Sequence, residues 1–347
     1  MKRALARLGE RTNGFTVTPG QYAIVAYLAL GALTLIVLTG AAVRLTSSGL
    51  GCPEWPQCYG RFYPPLSAHA VIEFSNRVIT GPVSIAAVGA WLLSYRRRPY
   101  RRDLMWLSLA LPAGVLAQAV LGGLTVEGKL AYGWVMGHFA VSMLLLVAAL
   151  SLAWRASHEP SERSRPQDRL LVWGTRALVA LGALTIFAGT AATAAGPHAG
   201  GEHGQRISRL DFDGRGTMDF VIHRHAEIAI AFGLLAVALW WLAWERGAER
   251  QVRRSSTAVC LLLGVQGVVG AVQYESHLPA GLVWVHVALA CLAWLATLWM
   301  GYAVAWPEGS RSPLQAVRER TALAGGSGGA TLAPGAQHPA QGAKVEA

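Results

Sequence analysis

The sequence predicts an all-α membrane protein of eight transmembrane helices, arranged as two four-helix bundles related by a pseudo-twofold axis. Three observations carry this. Of 347 residues, 53% are hydrophobic and 14% charged, and the mean hydropathy is +0.37, the balance of a bilayer protein rather than a soluble one. Eight apolar runs approach or exceed the length of about 20 residues that crosses the hydrocarbon core. One pattern also occurs twice: Gln118 precedes His138, and Gln266 precedes His286, by twenty residues each, with Gly122 and Gly123 in the first copy and Gly267 and Gly270 in the second.

Taken in order, the first run, 22–42, follows a polar segment, 1–21, expected to lie in the cytoplasm. It is too long for a signal-peptide core and has no clear cleavage site, so it reads as a retained helix. Runs at 71–93, 104–124 and 133–154 complete a first bundle over 22–154. A cytoplasmic linker, 155–169, leads to runs at 170–192, 219–243, 256–274 and 281–303, the second bundle over 170–303. The remainder, 304–347, is rich in Gly, Ala and Pro and is expected to be a disordered cytoplasmic tail. Long loops at 43–70 and 193–218 follow the first and fifth runs, the same place in each half. Four helices per half keep both copies in one orientation, which puts the axis along the membrane normal.

The formal charge of +11 is not spread evenly. Of 30 Lys and Arg, 21 fall in 1–20, 95–103, 155–169, 245–254 and the segment after 304, which are alternate connections. The positive-inside rule then places both termini in the cytoplasm and the two long loops outside the plasma membrane. The arginines orient the protein, and a nucleic-acid partner is excluded on that ground.

Cys52 and Cys58 share the first outer loop, in Gly51-Cys52-Pro53-Glu54-Trp55-Pro56-Gln57-Cys58. An oxidising outer compartment makes a disulfide the expectation, with free or metal-binding thiols as the alternative. Cys260 and Cys291 lie in apolar runs and read as core residues. No Cys-x-x-Cys-His motif offers covalent haem attachment.

Of ten histidines, only His138, His223, His225 and His286 fall within apolar runs. His69, His198, His203 and His277 lie in outer loops or at helix ends, and His158 and His338 in cytoplasmic segments. An imidazole inside a bilayer needs a partner. One such residue would read as a hydrogen bond to a neighbouring helix, but matched positions in two repeats favour ligands of haem iron. His138 and His286 each sit about five residues inside the outer end of their helices, under ~10 Å deep at ~1.5 Å per residue. His223 lies near the outer end of its own helix, so His223 and His286 are expected to face each other and form a six-coordinate electron-transfer haem site. His225 is two residues on, about 200° around the helix, and cannot share a pocket with His223. His223 is preferred because His223-Arg224 aligns with Asn76-Arg77.

The first half differs. Glu73, Asn76 and Arg77 are spaced i, i+3, i+4 and share a helix face, with His138 expected across from them. A carboxamide is a poor iron ligand, so a haem here would have one firm ligand and a second side left open beside a carboxylate. The alternative for Glu73 and Arg77 is an internal helical ion pair. Arg77 and Arg224 could instead meet haem propionates, since guanidinium suits planar carboxylates. The glycines permit close approach of a flat ligand or, equally, of another helix.

These residues resemble a known family. The run Val43-Arg44-Leu45-Thr46-Ser47-Ser48-Gly49-Leu50 leading into the Cys52–Cys58 loop resembles the first outer loop of haem A synthases. Ile72-Glu73-Phe74 with Arg77, Gln118 with Leu121 to Val126, Gly137-His138, Gly196 to Gly200, His223-Arg224 and Val285-His286 are similar to the family as well. The likeness covers about 22–303. It implies two four-helix bundles that oxidise a methyl group of haem O to the formyl group of haem A, for aa3-type oxidases. It implies a haem b cofactor in the second half on His223 and His286. It implies a substrate site in the first half, with His138 as ligand and Glu73 as the essential acid, and a disulfide joining Cys52 to Cys58. Many members carry histidine where this chain has Asn76. Partners so implied are haem O, the prenyltransferase that makes it, and a quinone or other electron acceptor; a homo-oligomer is left open. The same pockets would also serve a dihaem cytochrome b or a haem carrier, and a structural subunit with satisfied core histidines is a third alternative.

Overall fold

The computed structural model describes residues 15–159, 168–202, 204–212 and 216–305. The expectations for the N-terminal segment, the middle of the linker and the C-terminal tail lie outside these residues. Eight helices follow one another: α1 (Pro19–Leu45), α2 (Ala68–Arg96), α3 (Arg102–Glu127), α4 (Tyr132–Ser157), α5 (Arg169–Ala195), α6 (Thr217–Glu245), α7 (Arg250–Glu275) and α8 (Ala280–Ala305). Each has 26 to 29 residues, or about 40 Å at ~1.5 Å per residue, and all eight are long and apolar enough to cross a bilayer. The chain is a multi-pass membrane protein.

Each helix extends beyond its apolar run, α7 by six residues at its start. Hydropathy stops where arginines begin, whereas the backbone ladder continues through them. Starts are fixed by local chemistry: Thr18 and Gln21 form a reciprocal capping box before Pro19, and Ser67 accepts from the backbone N–H of Ala70. Pro82 and Pro112 sit inside α2 and α3, which packed neighbours tolerate in a membrane.

In the first half α1 packs on α2, α2 on α3, α3 on α4, and α4 back on α1; α5 to α8 close a second ring in the same order. In both rings the second and fourth helices stand diagonally across the centre, so residues on α2 and α4, or on α6 and α8, face each other. The halves meet where α8 packs on α1 and α4, and α4 on α5. The first core is lined with small residues, Ala23, Ala26, Ala29, Ala87 and Ala90, and takes in Trp294 and Leu298 of α8. Small residues let helices approach where lipid offers no hydrophobic drive. Large apolar side chains such as Leu28, Ile85, Leu116, Ile230 and Leu261 face outward, as lipid contact requires.

At the ends that carry the two long loops, the halves are stitched together. Arg44 on α1 donates to the carbonyls of His198 (2.9 Å) and Thr193 (3.1 Å). Gly49 N–H donates to Gly200 O at 2.8 Å; within the second half, His198 Nε2 donates to Leu278 O at 2.7 Å and holds the receiving loop in place. Gly200 has φ +99°, and a Cβ there would stand 3.2 Å from Arg44 Cγ, so conformation and space both favour glycine.

Candidate haem sites in the two halves

The first-half site begins with the loop between α1 and α2. Cys52 and Cys58 are joined by a disulfide, and the loop lies down on α2. Cys52 N–H donates to Glu73 Oε2 at 2.7 Å. Arg77 holds Glu73 Oε1 at 2.5 Å and also donates to the carbonyls of Cys52 (3.3 Å), Glu54 (3.0 Å), Pro56 (3.3 Å) and Gln57 (3.0 Å). One guanidinium thus ties four loop carbonyls to a buried carboxylate. Both terminal nitrogens of Arg77 are engaged in this arrangement, whereas the sequence set Arg77 against a haem propionate. Gly51 lies against the backbone of His69; a Cβ there would stand 2.4 Å from His69 C and O. Trp55 lies on Gly123 of α3, where a Cβ would come within 2.9 Å of the indole.

Asn76 is one helical turn from Glu73, and its Oδ1 accepts from Thr39 Oγ1 at 2.7 Å. His69, near the start of α2, shares a hydrogen bond of 3.0 Å with Ser48 Oγ through Nδ1. His138 lies on α4, diagonal to Glu73 and Asn76. Its Nδ1 is buried without a hydrogen-bond partner among the described residues, and a Cβ on Gly122 would lie 3.6 Å from the ring. Gln118 Nε2 donates to the main-chain carbonyl of His138 at 3.1 Å and to Ser142 Oγ.

The second half repeats part of this. Gln266 Nε2 donates to the main-chain carbonyl of His286 at 3.0 Å, and His286 Nδ1 is likewise buried without a partner. The ring opposite is His225. The His225 and His286 centroids are 6.2 Å apart with planes at 73°. His225 Nδ1–H donates to Thr185 O at 3.0 Å, which leaves the Nε2 lone pair for a metal. Gly189 and Gly270 back the two rings: a Cβ would stand 3.0 Å from His225 Cε1 and 3.1 Å from His286 Cε1.

His223 does not hold the position expected of it. It is exposed, its Nδ1–H donates to Asp219 O at 2.6 Å, and its ring is 6.3 Å from that of Tyr274. Arg224 is exposed as well, paired with Glu227 at 2.7 Å and lying over Phe220. The reason is helical phase. Two residues turn the helix by about 200°, so only one of the two histidines can face the bundle centre. Aligning His223-Arg224 with Asn76-Arg77 matched neighbours in sequence, not direction. Spacing could not decide, since His225 precedes His286 by 61 residues and Asn76 precedes His138 by 62.

The second-half geometry suits haem. Two imidazole nitrogens bonded to one first-row metal at about 2 Å each would put their ring centres about 6 Å apart, close to the 6.2 Å observed. Among the described residues of the first half, His138 on α4 is the histidine with a buried, unpartnered ring nitrogen, and α2 offers a carboxylate, a carboxamide and, at its start, His69 bound to Ser48.

The comparisons with known proteins point the same way. Residues 23–298 match the COX15-CtaA family, described as cytochrome oxidase assembly protein. The chain belongs to this family. A Heme A synthase of Shewanella oneidensis is 27% identical over 80% of this chain and 94% of its own length. A Heme A synthase of Bacillus pumilus is 34% identical, but that match covers 35% of this chain and 40% of the relative. A Thermus thermophilus protein named Protoheme IX farnesyltransferase is 28% identical over 86% of this chain, which spans 50% of that protein.

Proposed function

We propose that this family member is a haem A synthase, oxidising a methyl group of haem O to a formyl group. The observation that carries the reading is the asymmetry between repeats: a facing imidazole pair in one, a lone imidazole diagonal to a fixed carboxylate in the other. His225 and His286 would hold haem b, which supplies a one-electron relay. His138 would hold the substrate haem, with Asn76 across the bundle.

The oxidation proceeds in two stages. Methyl and water give hydroxymethyl, two protons and two electrons; hydroxymethyl and a second water give the hydrated aldehyde, with two more of each. Loss of water leaves the formyl group. Glu73 is the group placed to take protons. Its oxygens receive Arg77 and Cys52 N–H, and a carboxylate has about four acceptor sites, so lone pairs remain for an incoming water. Those two donors also fix the carboxylate before substrate arrives, and preorganised charge is the efficient way to stabilise cationic character developing at the porphyrin edge. The electrons pass to an acceptor such as a quinone, and the prenyltransferase that makes haem O is the natural donor of substrate.

A dihaem electron carrier would call for a second facing imidazole pair, whereas α2 presents Asn76, bound to Thr39. The test is to extract haems from purified protein and separate haems B, O and A by chromatography. Haem B with a mixture of O and A supports the proposal; haem B alone, in cells that make haem O, refutes it.

A further inference from the structure

We infer that Gln118 and Gln266 are positioning residues that clamp the main chain of the two ligand histidines, fixing the depth and rotation of each imidazole at its iron. This rests on the proposed haem reading and adds the device that aims the ligands.

Both glutamines occupy the third helix of their half, and both reach the fourth. Each donates Nε2 to the main-chain carbonyl of the histidine twenty residues later, at 3.1 and 3.0 Å. Each leaves its Oε1 buried without a partner among the described residues, beside a histidine whose Nδ1 is in the same condition. A half-satisfied amide in the middle of a membrane bundle is costly, and plain helix packing would be served better by leucine. Other features around the histidines have diverged. Ser142 adds a hydroxyl bond to His138 O at 3.0 Å, whereas the matching position after His286 is Ala290. The loop with Glu73 belongs to the first half alone. The copies share this glutamine contact and the glycine one turn on that meets the ring, Gly122 and Gly270, and of the two only the glutamine bonds the histidine main chain.

A helical carbonyl already accepts from the N–H four residues on, so its second lone pair is the one left for a side chain; at His286 Gln266 takes it, and at His138 Gln118 shares it with Ser142 Oγ. Filling it from the neighbouring helix locks sliding and rotation of α4 against α3, and of α8 against α7, at the ligand itself. Because the clamp grips backbone and leaves the ring alone, it sets where the imidazole sits without changing its tautomer.

The test uses the full-length protein in lipid nanodiscs. Wild type, Gln266→Met, Gln118→Met and Gln266→Glu are compared by haem B to protein ratio and by the low-temperature electron paramagnetic resonance of the bis-imidazole haem. Gln266→Met keeps length and bulk but removes the donor; haem B retention should weaken roughly 10- to 100-fold and the low-spin signal should shift or broaden. Gln118→Met should leave that signal unchanged and lower only occupancy of the other haem. Gln266→Glu, protonated in this apolar setting, retains an O–H donor and should restore the wild-type signal. The clamp is overturned if Gln266→Met leaves ratio and signal intact, if either methionine variant disturbs both haems alike, or if the glutamate fails to rescue. Absence of any bis-imidazole signal in wild type would instead overturn the haem reading itself.

Discussion

At the level of single residues, the proposed second ligand of a C-terminal haem is the sharpest point of difference. His225 faces His286 and His223 does not. Replacing His225 with alanine should abolish the bis-imidazole spectrum, while His223→Ala should keep it; absorbance of the reduced purified proteins distinguishes the two. Glu73 makes a second case. Glu73→Gln preserves size and one acceptor oxygen but removes the charge, so bound haems should persist while conversion of haem O to haem A falls about 100-fold or more, read by chromatography of extracted haems. Equal haem A output from the variant would remove Glu73 from the mechanism. Neither residue role could be read fully from sequence. The i, i+4 spacing put Glu73 beside Arg77, but the four loop carbonyls that occupy Arg77 depend on how a distant loop folds back.

At the level of elements, the disulfide loop and α2 act as one part. Gly51 lies so close to the backbone of His69 that a Cβ would stand 2.4 Å from it, and backbone atoms cannot swing aside as a flexible side chain can. Gly51→Ala should therefore lift the loop and destabilise the first half by about 1–3 kcal/mol, seen as a lower melting temperature in nanodiscs, with the C-terminal haem spectrum unchanged. All eight helices were legible in the sequence because twenty apolar residues in a row leave no alternative in lipid. Their ends were not, since arginine turns remain helical after hydropathy fades. The repeat was legible through Gln118, His138, Gln266 and His286, which share both spacing and direction. It misled at His223, where a two-residue ambiguity rotates the side chain to the other face. The seating of Trp55 on Gly123 left no local signal at all, for it joins a loop to a helix some seventy residues away.

At the level of the whole molecule, the charge pattern sets orientation: Lys and Arg gather on alternate connections, so both termini should be cytoplasmic. Alkaline phosphatase fused after residue 304 should be inactive, whereas the same fusion after residue 60 should be active. The stitching between the loop-bearing ends makes the halves interdependent. Arg44→Gln removes donors from two carbonyls of the opposite half and should cost about 1–3 kcal/mol, measured by thermal unfolding, with both haem spectra broadened together. Beneath that stitching, α8, which carries His286, lies directly on α4, which carries His138, and Trp294 Nε1 donates to Met143 O across the seam at 3.3 Å. Under the proposed chemistry, the two redox centres hang from adjoining rods with close-packed protein between them. An electron leaving the reacting porphyrin would then have a through-protein path to its relay, and no diffusing shuttle need enter the membrane between the two oxidations.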